Sequence, residues 1–301
     1  MEENQAQNSL KRNVTGFIFG VVALLCIVFG GMPLLFLLLT VILLGSKEYV
    51  QILRVKGFHP SFSVIGVVGV LICLVLAIGQ IDLIPAVLVL GTIASFLIVL
   101  FMGRQPYIAN VATTELGFLY AALLPAHIML IRQIDFDITK NIFIYDISDG
   151  FYLTTMTFFC VLVTDTAAYF GGKYCGKHKL SNVISPKKTV EGAVIGAVCA
   201  ILISLPWSFC TELSMLECAI GGLIITAASQ LGDLSESLIK RDAGVKDSSN
   251  LLPGHGGFLD RCDSYIFALP AAYYYFACFT GGNNFFLDLF NYMKSILHVA
   301  I

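Results

Sequence analysis

The chain has 301 residues, of which 57% are hydrophobic and only 13% charged, with a formal net charge of −2. An average soluble domain carries roughly 25% charged residues, so this composition, with a mean hydropathy of +0.84, excludes an ordinary soluble domain. The balanced charge gives no case for a nucleic-acid partner, and the expected fold is an all-α, polytopic integral membrane protein.

A spanning helix needs about 20 predominantly apolar residues. Nine stretches are predicted to span, at about 15–32, 33–46, 61–80, 83–102, 113–131, 151–172, 190–210, 215–233 and 264–280. Lys11 and Arg12 before the first run resemble a signal peptide. That run is long, however, leads straight into a second and lacks a small-residue cleavage site, so it reads as a retained helix. The second stretch is short, and Gly30-Gly31 with Pro33 reads as the tight turn of a helical hairpin. The runs are continuous rather than alternating ten-residue segments, which disfavours a β-barrel. Five spans form an N-terminal half, 1–132, and four form a second half, 149–301, which carries two long polar loops, 173–189 and 234–263. The tail 285–301 reads as an amphipathic segment at the external interface.

With nine spans, 15 of the 18 basic residues fall on the side shared by the N-terminus and both polar loops. The positive-inside rule puts that side in the cytoplasm, so the C-terminus is external and the expected location is the inner membrane. Nine cysteines scattered through spans and cytoplasmic loops argue against a disulfide framework. Cys210 and Cys218 flank a short external loop and could pair in an oxidising compartment. Cys175, His178 and Cys262 lack zinc-ligand spacing. Five Gly-Gly pairs suggest close helix packing, within the chain or in a homodimer.

Chemistry gathers in the second half. The sixth span ends TDTAAYFGGKYCGKHKL, placing Asp165 inside the apolar run and Tyr169 one turn later. Asp165 either bonds a neighbouring helix or marks a site, as intramembrane ionisable residues often do. Lys173, Lys177, His178 and Lys179 form a basic loop. In ISPKKTVEG, Ser185 is predicted to cap a helix with Pro186 at its first position. Lys187 and Lys188 could then hold phosphates at a helix N-terminus, beside the plainer reading of positive-inside charge. In the eighth span Ser229, Gln230, Asp233, Glu236, Ser237, Lys240 and Arg241 recur at helical spacing, with Leu231, Leu234 and Leu238 on another face. The helix should therefore run unbroken from bilayer to water with a polar stripe. The next loop adds Lys246-Asp247, the PGHGG run and Asp260-Arg261-Cys262-Asp263. Gly254, Gly256 and Gly257 permit positive φ and an anion-binding nest of N–H groups, while His255 more simply serves the turn. Asp260 and Asp263, three apart, can point to one place, although a helix N-terminus attracts carboxylates in any case. With Asp233 they make a hard-oxygen set suited to magnesium.

These residues resemble the phosphatidate cytidylyltransferase family, bacterial type. The resemblance rests on Ser237-Leu-Ile-Lys240-Arg241, four residues, Lys246-Asp247, then Leu252-Pro253-Gly254-His255-Gly256-Gly257-Phe258 and Asp260-Arg261-Cys262-Asp263. The stretches DTAAYFGGKYCGK, ISPKKTVEG and GDLSES add to it, and motif-level similarity covers about 165–263. Cys262 stands where the family usually has a larger aliphatic residue or threonine. The resemblance implies transfer of CMP from CTP to phosphatidic acid, giving CDP-diacylglycerol and pyrophosphate within the membrane lipids. It implies magnesium on Asp233, Asp260 and Asp263, with a second cation of open identity. Lys240, Arg241, Lys246 and Arg261 become charge clamps, and Lys173, Lys187 and Lys188 weaker ones. Ser237 and the glycines with His255 become substrate contacts, and Asp165 with Tyr169 lines a lipid entry. A phosphate oxygen is already an anionic nucleophile, so no activated Ser, Cys or His is needed. Two rival functions are a CTP-dependent kinase of a long-chain alcohol and an ion-coupled transporter. An enzyme acting on an unsaturated ether lipid would share the same chemistry.

Overall fold

The computed structural model describes residue 18 and residues 20–136, 148–181, 184–249 and 256–280. Among these the regular elements are helices, and an isolated bridge joins Lys179 to Thr189. The helices are α1 (Gly20–Phe29), α2 (Gly31–Val55), α3 (Phe62–Ala77), α4 (Ile84–Met102), α5 (Tyr107–Phe118), α6 (Leu124–Arg132), α7 (Asp149–Cys175), α8 (Val190–Ser204), α9 (Met215–Asp242) and α10 (Leu259–Phe279). A π turn at Leu119–Leu123 joins α5 to α6 into one long helix, just ahead of Pro125, whose missing N–H a wider turn tolerates. Within the described residues each predicted apolar stretch falls mainly on helix. Among the described residues six helices are long and apolar enough to cross a membrane, whereas α1 and α3 are shorter.

The second stretch needs correction. Its helix has 25 residues rather than a short run, because Gly45, Ser46, Glu48 and Tyr49 continue its buried face past the end of the apolar sequence. The hairpin turn before it is present as Gly30 and Gly31 at φ 61° and 47°, a region open to glycine. The tail 285–301 lies outside the described residues.

Two apolar cores form. The first joins α1 to α6 around Ile42, Ile65, Ile72 and Ala122, and the second joins α7 to α10 around Leu153, Met156, Ile225 and Phe276. Helix α10 belongs to both, giving Ile266 to the first and Leu269, Ala272 and Phe276 to the second. Nonpolar lipid supplies no hydrophobic drive between helices, so contacts of small residues and hydrogen bonds must hold the second half. Thr164 donates to Thr226 across α7 and α9 (2.9 Å), Gln230 to the Ala193 carbonyl (3.2 Å), and Ser204 to the Cys218 carbonyl (2.8 Å). Gly171 packs on Ile195, Gly221 on Tyr275, and Gly222 on the Ala200 carbonyl. Of the five Gly-Gly pairs, 171–172 and 221–222 thus serve packing inside one chain; 30–31 and 256–257 lie at loops, and 281–282 lies outside the described residues. Cys210 and Cys218 carry free thiols.

Capping explains where the second-half helices start. Ser214 and Glu217 form a reciprocal capping box on α9. The predicted cap of α8 is overturned: Thr189, not Ser185, accepts from Gly192 N–H at 3.1 Å. Ser185 instead opens a turn, its carbonyl accepting from Lys188 N–H at 3.2 Å, with Pro186 at the second position where a fixed φ suits it.

Helices α7 and α8 approach closely at the backbone, where a Cβ at Gly192 would lie 2.6 Å from the Ala168 carbonyl oxygen. Backbone cannot yield as a side chain can. Gly192→Val is expected to destabilise by about 1–3 kcal/mol, the usual range for overpacking. Thermal unfolding in detergent would show a lowered midpoint, and an unchanged midpoint would refute the contact.

Candidate active site

Helix α9 carries its polar stripe as the spacing predicts. It runs unbroken for 28 residues, burying Ser229, Glu236 and Lys240 while Leu231 and Leu238 face outward. The α7–α8 loop folds back onto this stripe. Glu191, in the first turn of α8, accepts from the backbone N–H groups of Lys177 and His178 and from the His178 ring. This holds the loop so that Lys188 reaches Asp233 at 2.5 Å. The α7–α8 loop therefore meets helix α9 at one place.

Around that place stand four carboxylates. Asp263 faces the like charges of Asp233, Glu236 and Asp165. Asp165 is exposed where it opens onto a cavity, accepts from Ser264 Oγ at 3.3 Å, and feels the charges of Lys188 and Arg261. Ser237 Oγ lies 3.5 Å from Asp233. Helices α9 and α10 touch here, where a Cβ on Gly232 would sit 2.7 Å from the Asp263 carbonyl oxygen.

Asp260 meets this group through Glu236, with which it shares Lys240. Its oxygens take Lys240 Nζ at 2.5 Å, Gly257 N–H at 2.7 Å, and the N–H and hydroxyl of Ser248 at 3.0 and 2.9 Å. Burial alone would raise its carboxyl, but the Lys240 ammonium and these N–H groups outweigh burial and hold it below the ordinary carboxylate range. Lys240 is buried and also paired to Glu236 one turn earlier. A buried ammonium needs such partners, so Lys240 ties Asp260 to Glu236.

The glycine nest is likewise filled from within. Gly256, at φ 78°, lies against Asp260, and Gly257 against Ser248 and Glu48. Glu48, 2% exposed on α2, accepts from the N–H groups of Phe258 (2.8 Å) and Leu259 (2.6 Å) and from the hydroxyls of Ser248 and Ser249. Gly254 and His255 lie outside the described residues. Elsewhere Arg241 donates to the carbonyls of Ile184 and Val245, bridging both loops, while Lys187 and Lys246 are exposed. Tyr169 and Lys173 belong to an exposed aromatic patch, Tyr169 edge-on to Phe170 and Lys173 over the Tyr174 ring. Such rings suit a membrane–water boundary.

A family model described as the cytidylyltransferase family matches residues 10–279. The chain belongs to the cytidylyltransferase family. It is 34% identical over 282 residues to the phosphatidate cytidylyltransferase of Synechocystis sp., covering 88% of this chain and 95% of that protein. It is 33% identical to the chloroplastic phosphatidate cytidylyltransferase 4 of Arabidopsis thaliana, over 90% of this chain and 74% of that one. Against the Staphylococcus aureus phosphatidate cytidylyltransferase the identity is 47%, over 41% of this chain and 48% of that protein. The resemblance read from the motif is borne out.

Among the residues that build this cytidylyltransferase's site, Glu48 is the one the motif gives no hint of. Removing its carboxylate takes away the acceptor of the Phe258 and Leu259 N–H groups and of the Ser249 hydroxyl, and hydrogen bonds to a charged group contribute about 1.5–3 kcal/mol each. Glu48→Ala is expected to cut activity at least about tenfold by releasing the loop, on the scale of one such bond. Asp242→Asn, which loosens only an exposed pair with Lys56, should keep near-normal activity. Turnover of the two purified variants, side by side, checks this; equal activity would dismiss the clamp.

Proposed function

We propose that this cytidylyltransferase transfers CMP from CTP to phosphatidic acid, giving CDP-diacylglycerol and pyrophosphate for phospholipid biosynthesis. The observation that carries this reading is the Lys188–Asp233 contact, which ties the α7–α8 loop to helix α9 beside Asp165 and Asp263 at the end of apolar helices. There a water-soluble triphosphate and a bilayer-borne phosphate can meet. A phosphatidate oxygen attacks the α-phosphorus of CTP, the bond to the β-phosphate breaks, and pyrophosphate leaves. Two polyanions must approach, so fixed positive charge is the main requirement. Lys187, Lys188, Lys246 and Arg261 are the basic groups for the phosphates. Lys240 and Arg241 act as positioning residues, the first through Asp260 and the second through the loop carbonyls.

Magnesium fits Asp233 and Asp263, with Asp165 beside them. Among the described residues no three ligating side chains converge as a closed cage, but magnesium is usually held by one or two carboxylates plus waters and substrate phosphates. Like-charged carboxylates gathered together also favour a bound cation. When bound, the ion would offset triphosphate charge. Asp260, tied to Lys240, supports the loop instead. Asp233→Asn and Asp263→Asn are each expected to lower turnover by about 10²–10³, taking the loss of one oxyanion donor as the scale. Titration with magnesium checks it; near-normal turnover at low magnesium in both variants would remove the assignment.

In this reading nine helices cross the inner membrane, with the N-terminus and both polar loops cytoplasmic and the C-terminus outside. Helix α3, 16 residues long, reaches about 24 Å, which thinning of the bilayer and flanking residues can accommodate. In a cysteine-depleted variant, Lys177→Cys should be labelled only from the cytoplasmic side. Labelling solely from outside would invert the topology.

Label on the α-phosphorus of CTP should enter an organic-extractable lipid when phosphatidic acid is supplied, and γ-label should leave as water-soluble pyrophosphate. A lipid kinase gives the opposite pattern, and a transporter gives neither.

A further inference from the structure

A cavity of about 280 Å³ opens between α1, α2, α6, α7 and α10. Its walls are almost wholly apolar, with Ile27, Leu38, Phe158 and Ile266 among them, and its polar groups include Asp165 and Arg261. These two sit at one end. On α10 the lining runs from Arg261 to Leu269, eight residues or about 12 Å of helix. Helix α2 runs the opposite way beside it, from Leu34 to Val41. The cavity is therefore long, narrow and greasy, with a guanidinium and a carboxylate at its mouth. That mouth adjoins the acidic group, since Asp165 faces both the cavity and Asp263.

We propose that this cavity receives one acyl chain of the lipid phosphate substrate and so selects chain length. The inference rests on the functional reading above and extends it to a part of the substrate that does not react. A single-headed amphiphile matches the lining: Arg261 suits an anionic headgroup at the mouth, and the apolar walls suit hydrocarbon over the length of the pocket. The volume, near the lower end of the range of about 300–1,000 Å³ for ligand pockets, fits one chain rather than a whole lipid. A sterol-like or other rigid lipid would need a wider slot. A lipid that merely fills a gap between helices would not need a charged mouth beside the carboxylates. Binding energy from such a remote chain can be used to hold the phosphate in line with the α-phosphorus.

Ala23 on α1 and Leu162 on α7 line the cavity from different walls, and Ala23→Phe and Leu162→Trp would each fill it. The measurement is kcat/KM for dioleoyl and for dihexanoyl phosphatidate, at fixed mole fraction in the same detergent micelles. The long-to-short ratio is expected to fall about tenfold in the filled variants, the discrimination that small changes in an apolar pocket provide. A ratio unchanged from the parent in both variants overturns the proposal, even if overall activity drops, because the cavity then holds only structural lipid. If the parent moves no α-label into either lipid, the functional reading fails instead, so the two failures remain distinct.

Discussion

A glycine-rich loop pressed against buried helices exposes backbone N–H groups that must find acceptors, and Glu48 supplies them. The N–H groups of Phe258 and Leu259 sit at the start of α10, where a helix already favours negative charge. Their acceptor comes from α2, more than 200 residues earlier in the chain. One buried carboxylate thus ties the first core to the loop that carries the family signature. The position of Asp263, four residues after Leu259 on the same helix, depends on that anchoring.

The carboxylates near this loop fall into two sets with different work. Glu48, Glu236 and Asp260 are engaged: they hold backbone N–H groups, hydroxyls and the Lys240 ammonium. Their charges are met by donors inside the fold, as buried charges must be. Asp165, Asp233 and Asp263 face one another, with Lys188 and Arg261 as the cations at hand. Repulsion within the second set is a cost that a bound cation would offset. The first set explains why the loop holds its shape, and the second why it is worth holding.

Helix positions were legible in the sequence because apolar runs of spanning length leave few alternatives, and the unbroken α9 was legible from the three-and-four spacing of its polar stripe. Local turn chemistry was less so. Ser185-Pro186 satisfies the rule for a helix start and the rule for a turn equally well, and the bridge between Lys179 and Thr189 decided for the turn. The pairing of Asp260 with Asp263 followed from their spacing along α10, but spacing says nothing about Lys240, which lies across on α9. Glu48 was hidden for the same reason. One signal did exist: Glu48 falls in register with Gly45 and Ile52 on the buried face of α2, and a carboxylate there has to have a partner.

The Lys188–Asp233 pair shows how such a site can receive anions at all. Its two side chains are 30% and 26% exposed, so water screens their attraction and the pair contributes little to stability, on the order of 0–1 kcal/mol. A triphosphate carries more charge than one carboxylate and can draw Lys188 to itself at small cost. Asp233 would then be left without its lysine beside Asp263, which increases the local negative charge and with it the affinity for a divalent cation. On the proposed reaction, nucleotide and metal binding are therefore coupled through one exchangeable ion pair. The buried Lys240 triad, by contrast, is too well enclosed to exchange and keeps the loop in place while this happens.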